Sequence, residues 1–258
     1  MKIKKRGQAG RSRSSEEWIY GLNPVLEAVR AGREVKAVFL SSARKEKISK
    51  IEEEISSHGI KINKTDSLFF EDRFGKGHQG IAALVAARKY TDLEDLLAVP
   101  TEKGEVPLFL ILDCIEDPRN FGAILRVADA GGVHGVVIQA YRSASLSPEA
   151  VKASAGASEY IPVAMVPNIK HAIREMKKSG IIIAGAEASA ETTIWDADLK
   201  GPLTLVIGSE GHGLRKTVKE ECDGLVNLPM KGKVNSLNAS VATGIIIFEI
   251  MRQRMSNL

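Results

Sequence analysis

The sequence predicts an α/β protein with two domains, a small N-terminal α/β unit and a larger C-terminal domain built on a parallel sheet. After residue 106, continuous apolar strands alternate with helical segments, which is typical of a parallel sheet covered on both faces. Residues 91–105 are polar, contain Pro100 and Gly104, and are interpreted as a linker. A chain of 258 residues is long enough to bury both cores.

The N-terminal domain is expected over residues 18–90. Asn23-Pro24 suits a helix start, because Asn23 can cap the first turn and Pro24 lacks the N–H that a first turn leaves unpaired. Gly32 is expected to end this helix. Further elements are a helix at 45–57 and strands at 35–40, 60–62 and 81–86. The glycine-rich basic stretch 73–80 is interpreted as a surface loop that either binds phosphate, with Lys76, or binds nothing.

The C-terminal domain is expected over residues 106–258. Its apolar runs predict strands at 109–112, 136–138, 161–166, 181–184, 203–207 and 225–228. Apolar residues at helical spacing predict helices at 123–130, 148–155, 169–178, 214–221 and 237–254. Open parallel sheets bind ligands at the carboxyl ends of their strands, so functional residues are expected there.

Charge is distributed unevenly along the chain. The net charge is +4, yet residues 1–15 hold six cationic and no acidic residues, so the remaining 243 sum to −2. Residues 1–17 are therefore interpreted as a disordered basic tail. Such a tail suits a polyanion such as RNA, because binding releases counterions from phosphates. A tail that only improves solubility explains the charge equally well.

Several classes of protein are excluded. Cys114 and Cys222 form no C-x-x-C pair and the histidines lack ligand spacing, so no metal site is expected and a cytoplasmic location is favoured. No apolar run approaches the ~20 residues that span a bilayer, and no secretory signal follows the basic start. Dinucleotide-binding and P-loop glycine patterns are missing, and Ile207 breaks the hydrolase pattern around Ser209.

Polar residues follow the strand that ends near residue 112. Asn120 lies where a helix begins and could be only a cap. Arg126 is harder to explain structurally, because it interrupts a helix made of Phe, Ala, Ile, Leu and Val. It lies off the apolar stripe and within two turns of the strand end.

Two further motifs follow later strands. Three glycines surround Glu210 between residues 208 and 213, and such a loop favours a ligand site; Glu210 could also cap a helix. Asn238 and Ser240 begin the last apolar helix and could be caps or ligand contacts. Gly244 is costly inside that helix unless another helix packs against it, as at a dimer interface.

Taken together, three segments resemble, in order and spacing, the motifs of the SpoU (TrmH-like) branch of the SPOUT RNA methyltransferases. They read N-F-G-A-I-L-R-V-A-D from residue 120, I-G-S-E-G-H-G-L from 207 and L-P-M-x-G-x-V-x-S-L-N-A-S-V-A from 228. The resemblance covers residues 106–254. Residues 18–90 are similar to the family's L30e-like substrate-binding domain. The layout most resembles the bacterial enzymes that methylate a guanosine ribose in large-subunit rRNA.

The resemblance implies a SPOUT domain with a deep trefoil knot, S-adenosylmethionine as methyl donor, no metal, and a homodimer with the last helix in the interface. It assigns cofactor contacts to Gly208, Leu228 and Leu237. It assigns the catalytic set to Asn120, Arg126, Glu210, Ser236 and Asn238.

The implied reaction is methyl transfer to a ribose 2′-hydroxyl, most closely that of a guanosine in 23S rRNA. Arg126 would act either as a base with a depressed pKa or, as we favour, by stabilising the developing alkoxide, because a guanidinium has a pKa above ~12. Two alternatives are open. The substrate could be tRNA, or the chain could be a catalytically idle RNA-binding or ribosome-assembly module.

Overall fold

The computed structural model describes residues 15–42, 48–233 and 236–255. Most of the expected basic tail lies outside the described residues. So do residues 45–47 of a predicted helix and residues 234–235 of the third motif. Within the described ranges, no helix combines the length and the apolar composition that crossing a bilayer requires.

The N-terminal domain is a four-stranded sheet with helices on both faces. Its elements are β1 (Glu16–Tyr20), α1 (Leu22–Arg30), β2 (Val35–Ser41), α2 (Ile48–Ser57), β3 (Ile62–Thr65), α3 (Ser67–Phe74) and β4 (Ile81–Ala86). The strand order is β1-β4-β2-β3, with only the β2–β3 pair parallel. Alternation along β1 separates the two faces: Ile19 joins the aliphatic core, whereas Trp18 contacts Phe69 and Phe74 of α3.

Two local expectations for this domain were wrong. Helix α1 begins at Leu22 with Gly21 as its N-cap, so Asn23 is inside the helix and does not cap it. Gly21 holds a φ of 98°, which glycine adopts without strain. The basic stretch from residue 73 is a loop only from Gly75 onward, because its first two residues end helix α3.

The C-terminal domain is a seven-stranded, wholly parallel sheet with helices on both faces. Its elements are α4 (Leu93–Lys103), β5 (Leu108–Asp113), α5 (Pro118–Ala130), β6 (Gly135–Gln139), α6 (Pro148–Ala153), a 3-10 turn (Ala157–Glu159), β7 (Val163–Val166), α7 (Ile169–Lys178), β8 (Ile182–Ala186), β9 (Thr192–Thr193), β10 (Leu203–Gly208), α8 (Lys216–Lys219), β11 (Gly224–Asn227) and α9 (Ala239–Met255). The strand order is β7-β6-β5-β10-β8-β11-β9. The predicted parallel sheet is confirmed.

Strand β5 shows how both faces are covered. Leu110 and Leu112 pack in the cluster that includes Phe121 of α5 and Ile246 of α9. Phe109 and Ile111 face the opposite cluster, which contains residues of α4 and α7. Each fully buried side chain of this size contributes roughly 1.5–3 kcal/mol through removal of apolar surface from water. The continuous apolar run therefore reflects burial on both faces rather than an edge strand.

The segment 91–105, which we expected to be a linker, is instead mostly helix α4. Leu96 of this helix is fully buried against the seven-stranded sheet, and Thr91 forms a parallel bridge with Ala164 of β7. Only one side of the helix needs apolar residues, so its polar composition resembles that of a linker. Gly104 ends the helix in the left-handed conformation.

The two domains pack against each other through α6 and the 3-10 turn that follows it. Val151 of α6 belongs to the core cluster of the N-terminal domain. Glu159, whose side chain is only 4% exposed, lies between Arg33 and Arg88 of the N-terminal part; Arg33 Nη1 is 3.1 Å from Glu159 Oε1, and Arg88 also pairs with Glu159. A buried ion network therefore joins the domains.

Candidate functional site

The first two motifs meet because β5 and β10 are neighbouring parallel strands. Gly208, the last residue of β10, is in register with Asp113, the last residue of β5. The loops that follow both strands thus leave the same edge of the sheet. The prediction that these motifs lie at strand ends is confirmed.

A closed hydrogen-bond network joins one residue from each motif. Asn120 Nδ2 and Asn238 Nδ2 donate to Glu210 Oε1 at 3.1 and 2.6 Å, and Asn238 Nδ2 also lies 2.8 Å from Asn120 Oδ1. These residues are 90 and 118 positions apart along the chain. Bonds to a carboxylate are stronger than bonds between neutral groups, so Glu210 orients both amides.

The same network caps helix α9. Glu210 Oε1 accepts a hydrogen bond from the backbone N–H of Ala239 at 3.1 Å. Asn238 Oδ1 accepts from the N–H groups of Ser240 and Val241, at 3.0 and 3.3 Å. The capping interpretation is thus confirmed for Asn238. Glu210 caps the last helix rather than the one after its own loop, and Ser240 is not a cap, because it lies inside α9 and donates its hydroxyl to Asn238 Oδ1. Asn120 is not a cap, since Asp117 caps α5.

The loop after β10 folds back on itself. Ser209 and Gly213 exchange backbone hydrogen bonds of 3.2 and 2.9 Å. A Cβ on Gly208 would lie 2.2 Å from the carbonyl carbon of Gly213, so any larger residue prevents this closure. Closure holds Glu210 within the five-residue turn from Ser209 to Gly213, and its side chain reaches α5 and α9.

A cavity of about 320 Å³ lies on one side of this loop. Gly208, Leu228, Ser236 and Leu237 all line it, together with Glu210. The other lining side chains include Ile207, Val226, Met230 and Ile246. Apolar walls with polar loop edges are typical of small-molecule sites, and the size suits a nucleoside-like ligand.

A second, open cavity of about 570 Å³ lies on the other side of the loop. It is lined by Cys114, Ile115, Glu116, Asp117, Asn120, Arg142 and Arg215. Four loop residues line both cavities: Ser209, Glu210, His212 and Gly213. The two cavities therefore adjoin at the loop that carries Glu210.

An ion pair at the edge of the second cavity was missed in the sequence. Asp113 is fully buried and accepts from the backbone N–H and Nε of Arg215 at 2.9 and 2.6 Å. Arg215 Nη2 donates to Gln139 at 2.7 Å. The sequence does indicate such a pair, because Asp113 ends an otherwise apolar strand and a buried carboxylate needs a partner. The pair joins the loop after β10 to the ends of β5 and β6.

The structure separates Arg126 from the network. It is exposed on α5, six residues after Asn120, which is about 9 Å along the helix axis. Arg126 lines neither cavity and has no hydrogen-bond partner within the described part of the chain. Of the predicted catalytic set, three residues are joined in the network and Ser236 lines the first cavity nearby.

Comparison with known families agrees with this architecture. The model of the SpoU rRNA Methylase family matches residues 107–248. The chain belongs to the SpoU rRNA methylase family. A second model, described as RNA 2′-O ribose methyltransferase substrate binding, matches residues 18–91. The family that the motifs resemble is thus confirmed, and the two matched regions correspond to the two sheets.

Individual relatives match nearly the whole chain. The putative TrmH family tRNA/rRNA methyltransferase YacO of Bacillus subtilis is 43% identical, over 92% of this chain and 96% of the relative. The 23S rRNA (guanosine-2′-O-)-methyltransferase RlmB of Xanthomonas campestris is 40% identical, over 93% of this chain and 97% of the relative. The structure of the SpoU methyltransferase AviRb of Streptomyces viridochromogenes in complex with AdoMet matches this chain with a TM-score of 0.78 and 26% sequence identity. The match covers 97% of this chain and 95% of AviRb.

Proposed function

We propose that this protein transfers a methyl group from S-adenosylmethionine to the ribose 2′-hydroxyl of a guanosine in 23S rRNA. The observation that carries the proposal is the network of Glu210, Asn120 and Asn238 on the wall between two cavities. One cavity suits the methyl donor and the other is open enough for a nucleotide. The relatives named RlmB support guanosine in 23S rRNA as the substrate, and that substrate implies a cytoplasmic location.

The first cavity fits the methyl donor. Gly208, Leu228 and Leu237 would hold it, since all three line this cavity of mixed apolar and polar character. When bound, S-adenosylmethionine supplies a methyl group that is already activated on a sulfonium. The protein must therefore mainly align the acceptor oxygen and help to remove its proton.

The chain's own residues perform that alignment. Glu210 keeps the loop closed over α9 and fixes both amides, so Asn120 presents a defined polar edge to the ribose. Ser236 and Asn238 would orient the RNA phosphate and Arg126. Arg126 would stabilise the developing alkoxide electrostatically, because its guanidinium remains charged at neutral pH.

Because Arg126 lies away from its own network, we propose that the site is completed in a homodimer. Helix α9 exposes Val241, Ile245 and Phe248 on one face, and Leu237 is exposed just before the helix begins. Their spacing of three to four residues forms a continuous stripe, which is unfavourable in water. We linked Gly244 to a dimer contact, but it packs on Val127 of the same chain. A Cβ placed on Gly244 would lie 3.7 Å from the Val127 side chain. A second copy packed on the stripe would bring its α5 beside this site.

Complementation tests the role and placement of Arg126. We expect Arg126→Ala to bind S-adenosylmethionine in isothermal titration but to lose methylation of rRNA. Glu210→Ala is expected to lose methylation as well. Mixing the two inactive variants through mild denaturation restores activity only if Arg126 acts on the partner's site. Full activity of Arg126→Ala alone would remove this residue from the mechanism.

The substrate is tested in cells that lack the protein. Ribose methylation is mapped across rRNA and tRNA, with the wild-type protein restored as control. We expect the loss of one guanosine methylation in 23S rRNA and restoration by the wild type but not by Glu210→Ala. A loss confined to tRNA would select the alternative substrate. An unchanged map, with no cofactor binding by calorimetry, would favour the idle RNA-binding module.

A further inference from the structure

We propose that the second cavity binds the guanine base of the target nucleotide, with Glu116 on its hydrogen-bond donor edge and Arg142 on its acceptor edge. The proposal rests on the methyltransferase function above and assigns the residues that select the base. Both residues line the cavity of about 570 Å³ on the side of the loop opposite the proposed cofactor site.

Some charged side chains of this cavity are paired within the protein, whereas others have no partner among the described residues and can bind a ligand. Arg215 is paired with Asp113, and Asp117 Oδ1 accepts from the N–H of Arg119 at 2.8 Å. Glu116 and Arg142 are both exposed. Neither forms an ion pair or hydrogen bond, with the other or with any residue in the described ranges. A carboxylate and a guanidinium that share a cavity without pairing offer both of their charges to a ligand.

The backbone supports a binding role. Four non-glycine residues among those described have positive φ, and two of them, Cys114 with 61° and Arg142 with 56°, line this cavity. Such conformations cost of order 1–3 kcal/mol each and persist where the surroundings impose them, often at ligand sites. Arg142 is thus held in an unfavourable conformation, although no bond within the described chain requires its side chain there.

The chemistry of the two side chains selects guanine among the bases. A carboxylate only accepts hydrogen bonds and a guanidinium only donates them. Guanine presents two donors, N1–H and the N2 amino group, on one edge and two acceptors, O6 and N7, on another. Arginine pairing with O6 and N7 is the commonest specific contact to guanine. Adenine presents an amino donor at the position of O6 and would face Arg142 unfavourably.

The position of the cavity is consistent with the chemistry. Asn120 and Glu210 line this cavity, and Glu210 also lines the proposed cofactor cavity. A base held between Glu116 and Arg142 would place its ribose next to Asn120 and Glu210. The 2′-hydroxyl would then be on the side of the methyl donor.

The test compares guanosine with inosine, which lacks the N2 amino group. A synthetic fragment of 23S rRNA that carries the mapped guanosine, and the same fragment with inosine, are methylated by wild type, Glu116→Ala, Arg142→Ala and Arg142→Lys. We expect wild type to prefer guanosine by about tenfold or more in kcat/KM. Glu116→Ala should bring the ratio close to one, and Arg142→Ala should slow both substrates about tenfold or more with partial rescue by Lys.

Two controls separate the possible failures. Glu191→Ala changes an exposed glutamate outside both cavities and should retain the wild-type ratio. Calorimetry with S-adenosylmethionine should give the wild-type affinity for all variants. If wild type methylates the fragment but Glu116→Ala and Arg142→Ala leave both the rate and the ratio unchanged, the base assignment is overturned alone. If wild type methylates neither rRNA nor tRNA, the proposed function itself is overturned.

Discussion

Substitution of Glu159 by glutamine should destabilise the protein strongly through the contact between its domains. The Glu159 side chain is 4% exposed, and its partners Arg33 and Arg88 are 10% and 14% exposed. Burial lowers the pKa of Arg88, while the charge of Glu159 raises it. Glu159→Gln therefore leaves the buried guanidinium of Arg88 without its paired carboxylate, whereas Arg33 keeps its ion pair with Glu17.

The magnitude follows from the burial. Removing one partner of a buried ion pair costs about 3–5 kcal/mol, because the other charge stays buried and unpaired. For a chain of this size, 1 kcal/mol shifts the melting temperature by about 2–4 °C. We therefore expect Glu159→Gln to lower the melting temperature by roughly 6–20 °C, or to separate the unfolding of the domains into two transitions.

Thermal unfolding followed by circular dichroism and calorimetry measures this effect. The matched control is Glu149→Gln, whose pair with Arg119 lies in water with side chains 48% and 78% exposed. Its melting temperature should match that of wild type, since exposed pairs contribute little. Equal melting temperatures for Glu159→Gln and Glu149→Gln would refute the argument that burial of the network stabilises the interface.

Three other predictions concern single positions. Gly208→Ala should abolish binding of S-adenosylmethionine in calorimetry, because the Cβ overlaps the loop backbone, whereas Gly224→Ala should bind normally. Gly122→Ala should lower the free energy of unfolding, measured with urea, by more than about 1 kcal/mol, because the added Cβ would lie 2.3 Å from a carbonyl oxygen of α6. Gly201→Ala, where the added Cβ meets nothing within 4 Å, should leave it unchanged. Burial lowers the pKa of His134, so the neutral imidazole is favoured in the folded protein. The contribution of His134 to the free energy of unfolding should therefore be complete above pH 6.5 and decrease as the pH falls below that value. The variant His134→Asn should lack this pH dependence.

The fold was largely predictable because each buried strand is a continuous apolar run. Strand β5 was expected at 109–112 and spans Leu108–Asp113, and the other long strands differ by similar amounts. Helices α3 and α4 were missed for physical reasons. α4 buries only Leu96 and Pro100, and α3 buries only Phe70, so neither shows a clear helical period. The two-residue strand β9 has no pattern of its own.

The candidate site was predictable in its parts but not in its assembly. Local sequence showed that Glu210 and Asn238 suit helix starts, yet their partners depend on which strands are neighbours in the sheet. The insertion of β10 between β5 and β8 brings the motifs together, and no local pattern encodes that order. The same order pairs Asp113 with Arg215. The trefoil knot, the homodimer and the catalytic roles stay predictions.

The turn from Ser209 to Gly213 belongs to both cavities, and this has a thermodynamic consequence. Because a ligand in either cavity contacts this turn, binding in one cavity is coupled to binding in the other through the turn. By linkage, the factor by which the donor changes RNA affinity equals the factor by which RNA changes donor affinity. One five-residue segment thereby makes the affinities of two chemically unrelated reactants interdependent.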